Sequence, residues 1–326
     1  MKKKKRKFPF LHFIVLLVVL LGLDQLFNLS SNFIFYLNNG APLRVKTENG
    51  WAILDKGNAI TLNKIINRED FTVSSIEINR NRSRLGPFNN VLSGKMMVFE
   101  FAPNNRFSIL ADAQEKFPSL SSSEAMGRFD VNFMVNANFY GSENQVMGEL
   151  ILDKKRYHKE SQASGFFRVI DGIPYVGPRS IFTDLNGTIE YSCQAFPSVI
   201  NNGEIFSYVL EETKPSNKQW KRKTYRNLIG MKPDGSIVFL LSNQRGILSV
   251  KEISQLAKML GVDRASLFDG GVALQYKLES SEGNISFSAF NNRFDFGKRV
   301  DNYFMRNHRM LFKQRSPVYI GVKLKD

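Results

Sequence analysis

Cysteine, histidine and long apolar runs are all scarce in this chain of 326 residues. Its single cysteine, Cys193, cannot close an intramolecular disulfide, so the fold stands on packing alone, and disulfide scaffolds and Cys-based zinc modules are excluded. With only His12, His158 and His308 present, a His-centred triad or a His-rich metal site has too few members. Beyond the N-terminal segment nothing approaches the length of a membrane-spanning helix, which excludes a multi-span transporter. Gly-x-x-x-x-Gly-Lys, Gly-x-Gly-x-x-Gly, His-Glu-x-x-His, Cys-x-x-Cys and Gly-x-Ser-x-Gly are all missing. Carboxylates, amides and arginines are left to carry whatever chemistry exists.

What is present is a globular composition, 43% hydrophobic and 23% charged, with a formal net charge of +15. Six of those charges run consecutively from Lys2 to Lys7. The remaining 39 Lys and Arg against 30 Asp and Glu leave +9 for the rest. The basic run precedes Phe8 to Leu23, an apolar stretch interrupted by Pro9, His12 and Gly22, whose length falls between a signal-peptide core and a transmembrane helix. No small-x-small cleavage site follows in Asp24 to Ser31. The expectation is therefore an uncleaved signal anchor, favoured over a cleaved signal peptide or a buried core helix. By the positive-inside rule Lys2 to Lys7 stay cytoplasmic and the remainder lies across the membrane. The localisation expected is the cell membrane, single-pass, with the C-terminal domain periplasmic or extracellular.

The chain then divides into residues 1–30, a basic segment and transmembrane anchor; 31–47, an Asn-rich tether carrying Gly40 and Pro42; and 48–326, one domain. From Trp51 onward the texture is short strands. Phe71 to Asn79 alternates apolar Phe71, Val73, Ile76 and Ile78 with polar neighbours and slips once at Ser74-Ser75. Lys95 to Ala102, Val131 to Val135, Phe166 to Ile170, Ser236 to Leu241 and Pro317 to Leu324 read similarly. Turn pairs at Asp171-Gly172, Asn186-Gly187, Asn202-Gly203 and Asp234-Gly235 point to hairpins. Two helices open with capping boxes, Ser121 with Glu124 and Ser249 with Glu252. The second presents Val250, Ile253, Leu256, Ala257 and Leu260 on one face before Gly261. The fold class is α+β: mostly antiparallel sheets with a few packed helices, preceded by one N-terminal transmembrane helix.

Each helix leads through a short strand into an unusual tip, Asn136-Ala137-Asn138-Phe139-Tyr140 after the first and Asp269-Gly270-Gly271 after the second. Ligands collect beyond the carboxyl ends of strands, so chemistry is expected at these tips. In order, Val135 to Tyr140, Gly148-Glu149-Leu150, Arg226-Asn227-Leu228-Ile229-Gly230 with Asp234-Gly235, and Phe268-Asp269-Gly270-Gly271 resemble the phosphodiester glycosidase family. Trp51 to Leu54 and Ser74 to Leu85 also look like its N-terminal strands. The resemblance spans roughly 48–326 as one domain, and the order and spacing of the motifs carry it.

The resemblance implies hydrolysis of the bond between a sugar anomeric carbon and a phosphodiester oxygen. A phosphate leaving group is weakly basic and needs cations and N–H donors more than a strong acid, whereas the sugar carbon needs a carboxylate as nucleophile or base. Asp269 and Glu149 are the catalytic candidates. Arg226, with its planar donor fork, suits phosphate, and Asn136, Asn138, Asn243, Gly270 and Gly271 complete the binding candidates. Each also has a structural role open to it: a turn cap for Asp269, backbone satisfaction for the asparagines, a solvated strand position for Glu149, and a basic face shared with Lys214, Lys218, Lys221, Arg222 and Lys223 for Arg226. Val272, Ala273 and Leu274 stand where the family has a third glycine and hydroxyl residues, and Ala137 and Asn138 where it has two small residues. These departures motivate a second reading, a non-catalytic envelope domain that binds glycan or protein. Nucleic-acid binding ranks last despite nine basic against three acidic residues from Asn291 to Asp326, because the anchor places them outside the cytoplasm. The partners expected are a glycan or sugar-phosphate substrate and, through the N-terminal helix, the membrane. No cofactor and no metal are expected.

Overall fold

The computed structural model describes residues 10–27, 42–54, 59–80, 93–141, 145–211, 218–289 and 315–325. Its largest sheet has ten strands, running from Glu204–Ile205 through Ser198–Asn201, Arg264–Phe268, Asn227–Met231, Ile237–Ser242, Gly94–Phe101 and Phe71–Asn79 to Arg44–Thr47 and Gly50–Ile53. Asn63–Asn67 also pairs with Phe71–Asn79. The central pairings are antiparallel. This sheet is apolar on both faces, as a central layer must be to exclude water from each side. Met97, Phe99 and Phe101 of one strand enter one core, and Met96 and Val98 enter the other.

That two-sided burial explains the slip at Ser74-Ser75. The strand Phe71–Asn79 pairs without interruption with Gly94–Phe101. Phe71 and Val73 face one core, while Ile76 and Ile78 face the other. The apolar residues change faces while the backbone stays in register, and the irregularity lies in the partner strand between Lys64 and Ile66.

One face of the large sheet packs on two five-stranded antiparallel sheets. The first runs Gly283–Ser288, Gln275–Ser280, Phe133–Asn136, Tyr319–Lys323, Arg106–Leu110; the second runs Ile173–Pro178, Gly165–Ile170, Ile189–Ala195, Leu150–Leu152, Lys155–His158. Aromatic rings fill the seam. Phe133 lies 4.8 Å from Phe99, 4.9 Å from Phe239 and 5.1 Å from Phe101, and Phe107 lies 6.1 Å from Phe167 of the second small sheet. The opposite face receives the helix Val250–Met259, which buries Val250, Ile253, Leu256 and Ala257 with Leu260 packed beside them. Both capping boxes form as expected, Ser121 with Glu124 and Ser249 with Glu252. Three of the four turn pairs join hairpin partners, at Asp171-Gly172, Asn202-Gly203 and Asp234-Gly235. Asn186-Gly187 does not, because Ile173–Pro178 and Ile189–Ala195 lie on opposite sides of Gly165–Ile170.

One N-terminal expectation changes. The expected tether of 31–47 ends sooner, since Arg44–Thr47 is a strand paired with Gly50–Ile53 and with Ile78 and Asn79, burying Leu43 and Val45. The apolar run forms a helix, Phe10–Phe27, with its large side chains from Phe13 to Leu21 exposed. Among the described residues no helix is long and apolar enough to cross a membrane. The run Lys2 to Lys7 and most of the basic 291–326 segment lie outside the described residues.

Candidate active site

The two tips meet although their strands belong to different sheets. Phe133–Asn136 lies in a small sheet and Arg264–Phe268 in the large one, and both end at the same place. Asn136 Nδ2 donates to the Asp269 carbonyl at 2.8 Å, while its Oδ1 accepts the Gln275 N–H at 3.0 Å. Asn227 Nδ2 donates to the Asn136 carbonyl at 2.8 Å and the Asp269 carbonyl at 3.4 Å. Asn136 and Asn227 are fully buried, so their amides act as a clasp that fixes the Asp269 backbone. Asn227, which sequence reasoning passed over, starts the strand beside Phe268 and carries half of that clasp.

Asp269, Gly270, Gly271 and Arg226 line one open cleft of about 360 Å³. Phe139, Phe196, Trp220, Arg222, Thr224 and Val272 share its wall. Burial pushes the Asp269 carboxyl up to about 7, against the opposing pull of the Gly270 N–H, and among the described residues no cation forms an ion pair with it. Gly270 has no room for a side chain, because a Cβ there would stand 2.6 Å from the Tyr225 carbonyl oxygen, and Gly271 sits at φ 62°. The backbone after Asp269 therefore takes a path that side chains would block, and Ala273 and Leu274 turn inward to the core.

Arg226 precedes the strand Asn227–Met231 at the same end of the large sheet. Its Nε donates to the Leu248 carbonyl at 2.9 Å and its Nη2 to the Arg222 carbonyl. Its own N–H donates to Ser242 Oγ at 2.7 Å. Backbone oxygens hold the guanidinium, and among the described residues no carboxylate forms an ion pair with it. Burial first, then the neighbouring Arg222 charge, lower its pKa to about 10, with Glu252 acting the other way; it stays cationic at neutral pH. A cation held in a cleft by carbonyls alone offers its remaining donors to an anionic ligand.

The other predicted residues are spent elsewhere. Glu149 is fully buried, with Oε1 accepting from Arg168 Nη2 at 2.7 Å and Ser192 Oγ at 2.6 Å, and Arg156 Nη2 at 3.3 Å from Oε2. It does not line the cleft. Asn138 Nδ2 donates to the carbonyls of Glu149 at 3.0 Å and Met147 at 3.3 Å, so the side chain standing in place of a small residue pins the neighbouring segment and leaves the cleft open. Asn243 donates to the Tyr276 hydroxyl at 2.6 Å, away from the cleft. Sequence reasoning missed the aromatic wall, in which Trp220 lies 5.4 Å from Tyr208 and 6.5 Å from Phe196. Its one signal was that Trp220 is one of only two tryptophans. No group of three or more His, Cys, Asp or Glu side chains suited to a metal ion occurs among the described residues.

In one cleft, then, stand a carboxyl that ionises near neutrality, a fixed cation, a glycine-lined backbone and an aromatic surface. The fold is similar to that of the zebrafish N-acetylglucosamine-1-phosphodiester alpha-N-acetylglucosaminidase catalytic domain, a structure auto-inhibited by its pro-peptide. That match has a TM-score of 0.57 and 11% identity over 81% of this chain and 87% of that one. A hypothetical protein from Synechocystis has a similar fold, with a TM-score of 0.51 and 14% identity over 88% of this chain and 68% of that one. No curated protein matches the sequence. The family description that does match, phosphodiester glycosidase, covers residues 129–305 and so takes in both tips, the Gly148-Glu149-Leu150 step and Arg226. The chain belongs to the phosphodiester glycosidase family.

Proposed function

We propose that the protein is a membrane-anchored, exported hydrolase that cleaves the sugar–phosphate bond of glycan phosphodiesters. The observation that carries this reading is the convergence of Asp269 and Arg226 on one cleft, a carboxylate for the anomeric carbon and a cation for the phosphate. Arg226, with Arg222 beside it, binds the diester and stabilises the charge that grows on the departing phosphate. Asp269 in its ionised form acts at the anomeric carbon, as nucleophile or as base toward water. Asn136 and Asn227 fix the Asp269 backbone, and the close approach at Gly270 aims it. Trp220 and Phe196 present apolar faces to the sugar ring. The helix Phe10–Phe27, with its exposed apolar side chains and the preceding basic run, supports an anchor at the cell membrane with the catalytic domain outside the cytoplasm.

The test is to incubate the full chain with a panel of sugar-1-phosphodiesters beside Asp269→Asn. Turnover by the parent and its loss in the variant are expected. No turnover on any substrate, or equal turnover by the variant, would sink the catalytic assignment. A second reading, a non-catalytic glycan-binding domain, is favoured by one observation: Glu149, the other carboxylate candidate, is locked in a buried ion-pair network outside the cleft. Binding without turnover that survives in Asp269→Asn would select it.

A further inference from the structure

Gln194 is buried, and both ends of its amide are engaged. Its Oε1 accepts from the Glu149 N–H at 2.9 Å, the Ser161 N–H at 2.8 Å and the Ser161 hydroxyl at 3.0 Å. Its Nε2 donates to the Ser161 carbonyl at 3.0 Å and the Ala163 carbonyl at 2.8 Å. Each segment held in this way leads to the cleft. On one side Asn138 donates to the Glu149 and Met147 carbonyls, and the Met147 N–H donates to the Phe139 carbonyl at 2.8 Å. On the other side the connection from Ser161 ends in Ser164, whose Oγ accepts the Ser198 N–H at 3.0 Å and whose carbonyl accepts the Ser198 hydroxyl at 3.1 Å. Ser198 follows Phe196 and Pro197, and Gln194 itself stands two residues before Phe196. Phe139, Phe196 and Pro197 all line the cleft. The joint is closely fitted: Gly148 sits at φ 83°, and a Cβ there would stand 2.6 Å from Gln194 Oε1.

We infer that Gln194 is a positioning residue that ties the Phe139 part of the cleft wall to the Phe196 part and so sets the space that receives the sugar. The ligand's identity rests on the glycosidase reading, whereas the joint rests on the hydrogen bonds alone. Phe139 follows a strand of the first small sheet and Phe196 a strand of the second, so no backbone ladder fixes one against the other. A buried amide does so, because each N–H and carbonyl it satisfies would otherwise be left unpaired away from water. A wall built of apolar rings selects by fit, and a shift of about 1 Å in such a wall is felt in binding or rate. Asp269 is held by a different clasp, Asn136 and Asn227. The Gln194 joint therefore acts on affinity and leaves the reacting carboxylate in place.

The experiment uses the full chain in detergent and compares the parent with Gln194→Met, which keeps the length of the side chain and removes its hydrogen bonds. Amide hydrogen exchange is read well below the melting temperature. In the variant the amides of Met147, Glu149, Ser161 and Phe196 should all exchange about tenfold faster or more, while those of the strands Phe133–Asn136 and Arg264–Phe268 keep the parent's protection. On the sugar-1-phosphodiester that the parent cleaves best, KM should rise about tenfold with kcat little changed. Gln194→Glu, which keeps the acceptor and loses both donors, carries the test if the methionine variant does not fold. There Glu149 should stay protected, Ser161 and Phe196 should loosen, and KM should again rise more than kcat falls. Faster exchange confined to residues 161–164, with Met147 and Phe196 unchanged, would overturn the joint. So would faster exchange throughout the chain with KM at the parent's value, which is the mark of a merely structural residue, or a fall in kcat at constant KM. Failure of the glycosidase reading is seen separately: a parent that cleaves no diester, beside a variant with the linked change in exchange, keeps the joint and loses the reaction.

Discussion

At Asp269 a single side chain links burial to pH. Its carboxyl, ordinarily near 3.8, is raised to about 7 by desolvation. If the ionised form is the reactive one, kcat/KM should rise with pH through about 7 and level off above it, and a pH–rate profile checks this. The same shift has the opposite sign for stability. Between the unfolded and folded pKa values the folded state holds the proton and the unfolded state does not, so stability falls as pH rises across that window. Asp269→Asn removes the penalty, and its melting temperature at pH 8 should equal or exceed that of the parent while turnover is lost. Gly270→Ala makes the converse test. Its Cβ would meet the Tyr225 carbonyl oxygen at 2.6 Å, so the backbone must shift at a cost of about 1–3 kcal/mol, readable by urea denaturation, and Asp269 is displaced with it.

Among the elements, the helix Val250–Met259 and the Glu149 network show two different ways of placing a polar group. Ser249 accepts the Glu252 N–H at 3.3 Å and Glu252 returns to the Ser249 N–H at 2.7 Å. Ser249→Ala should cost about 1 kcal/mol in chemical denaturation, the ordinary value of an N-cap. Glu149 is held in the small sheet by Arg168 from Gly165–Ile170 and by Ser192 from Ile189–Ala195. Glu149→Ala takes the 2.7 Å carboxylate from the buried Arg168 and leaves it only Glu160 at 3.8 Å, and the expected loss is about 3 kcal/mol of stability. Should Glu149→Gln retain the fold and most of the turnover, the carboxylate is structural; a loss of kcat with stability preserved would return it to the reaction. The capping boxes were legible in the sequence because a cap is a local event, four residues reading one another. The burial of Glu149 was not, because its partners come from three other strands.

On the scale of the whole molecule, the large sheet is a layer between two cores, and its strands carry the site on one end. The anchor is a prediction at this scale. The full chain should sediment with membranes and resist extraction by high salt, and its catalytic domain should be open to protease from outside the cell. Release by salt alone would remove the anchor. The sequence by itself determined the strand-rich α+β class, the two capped helices, most hairpin turns and the family, because each of these is written in short-range patterns or in motif order. It also pointed to Asp269, Gly270, Gly271 and Arg226 as neighbours, since tips at strand ends converge whenever the strands do. Only the tertiary structure decided that Asn136 and Asn138 serve the backbone, that Asn243 and Glu149 lie outside the cleft, and that Trp220 and Phe196 lie inside it. Those outcomes depend on which sheet covers which. A buried amide or carboxylate takes whatever partner the neighbouring layer presents, and nothing within a few residues of it in the chain records that choice.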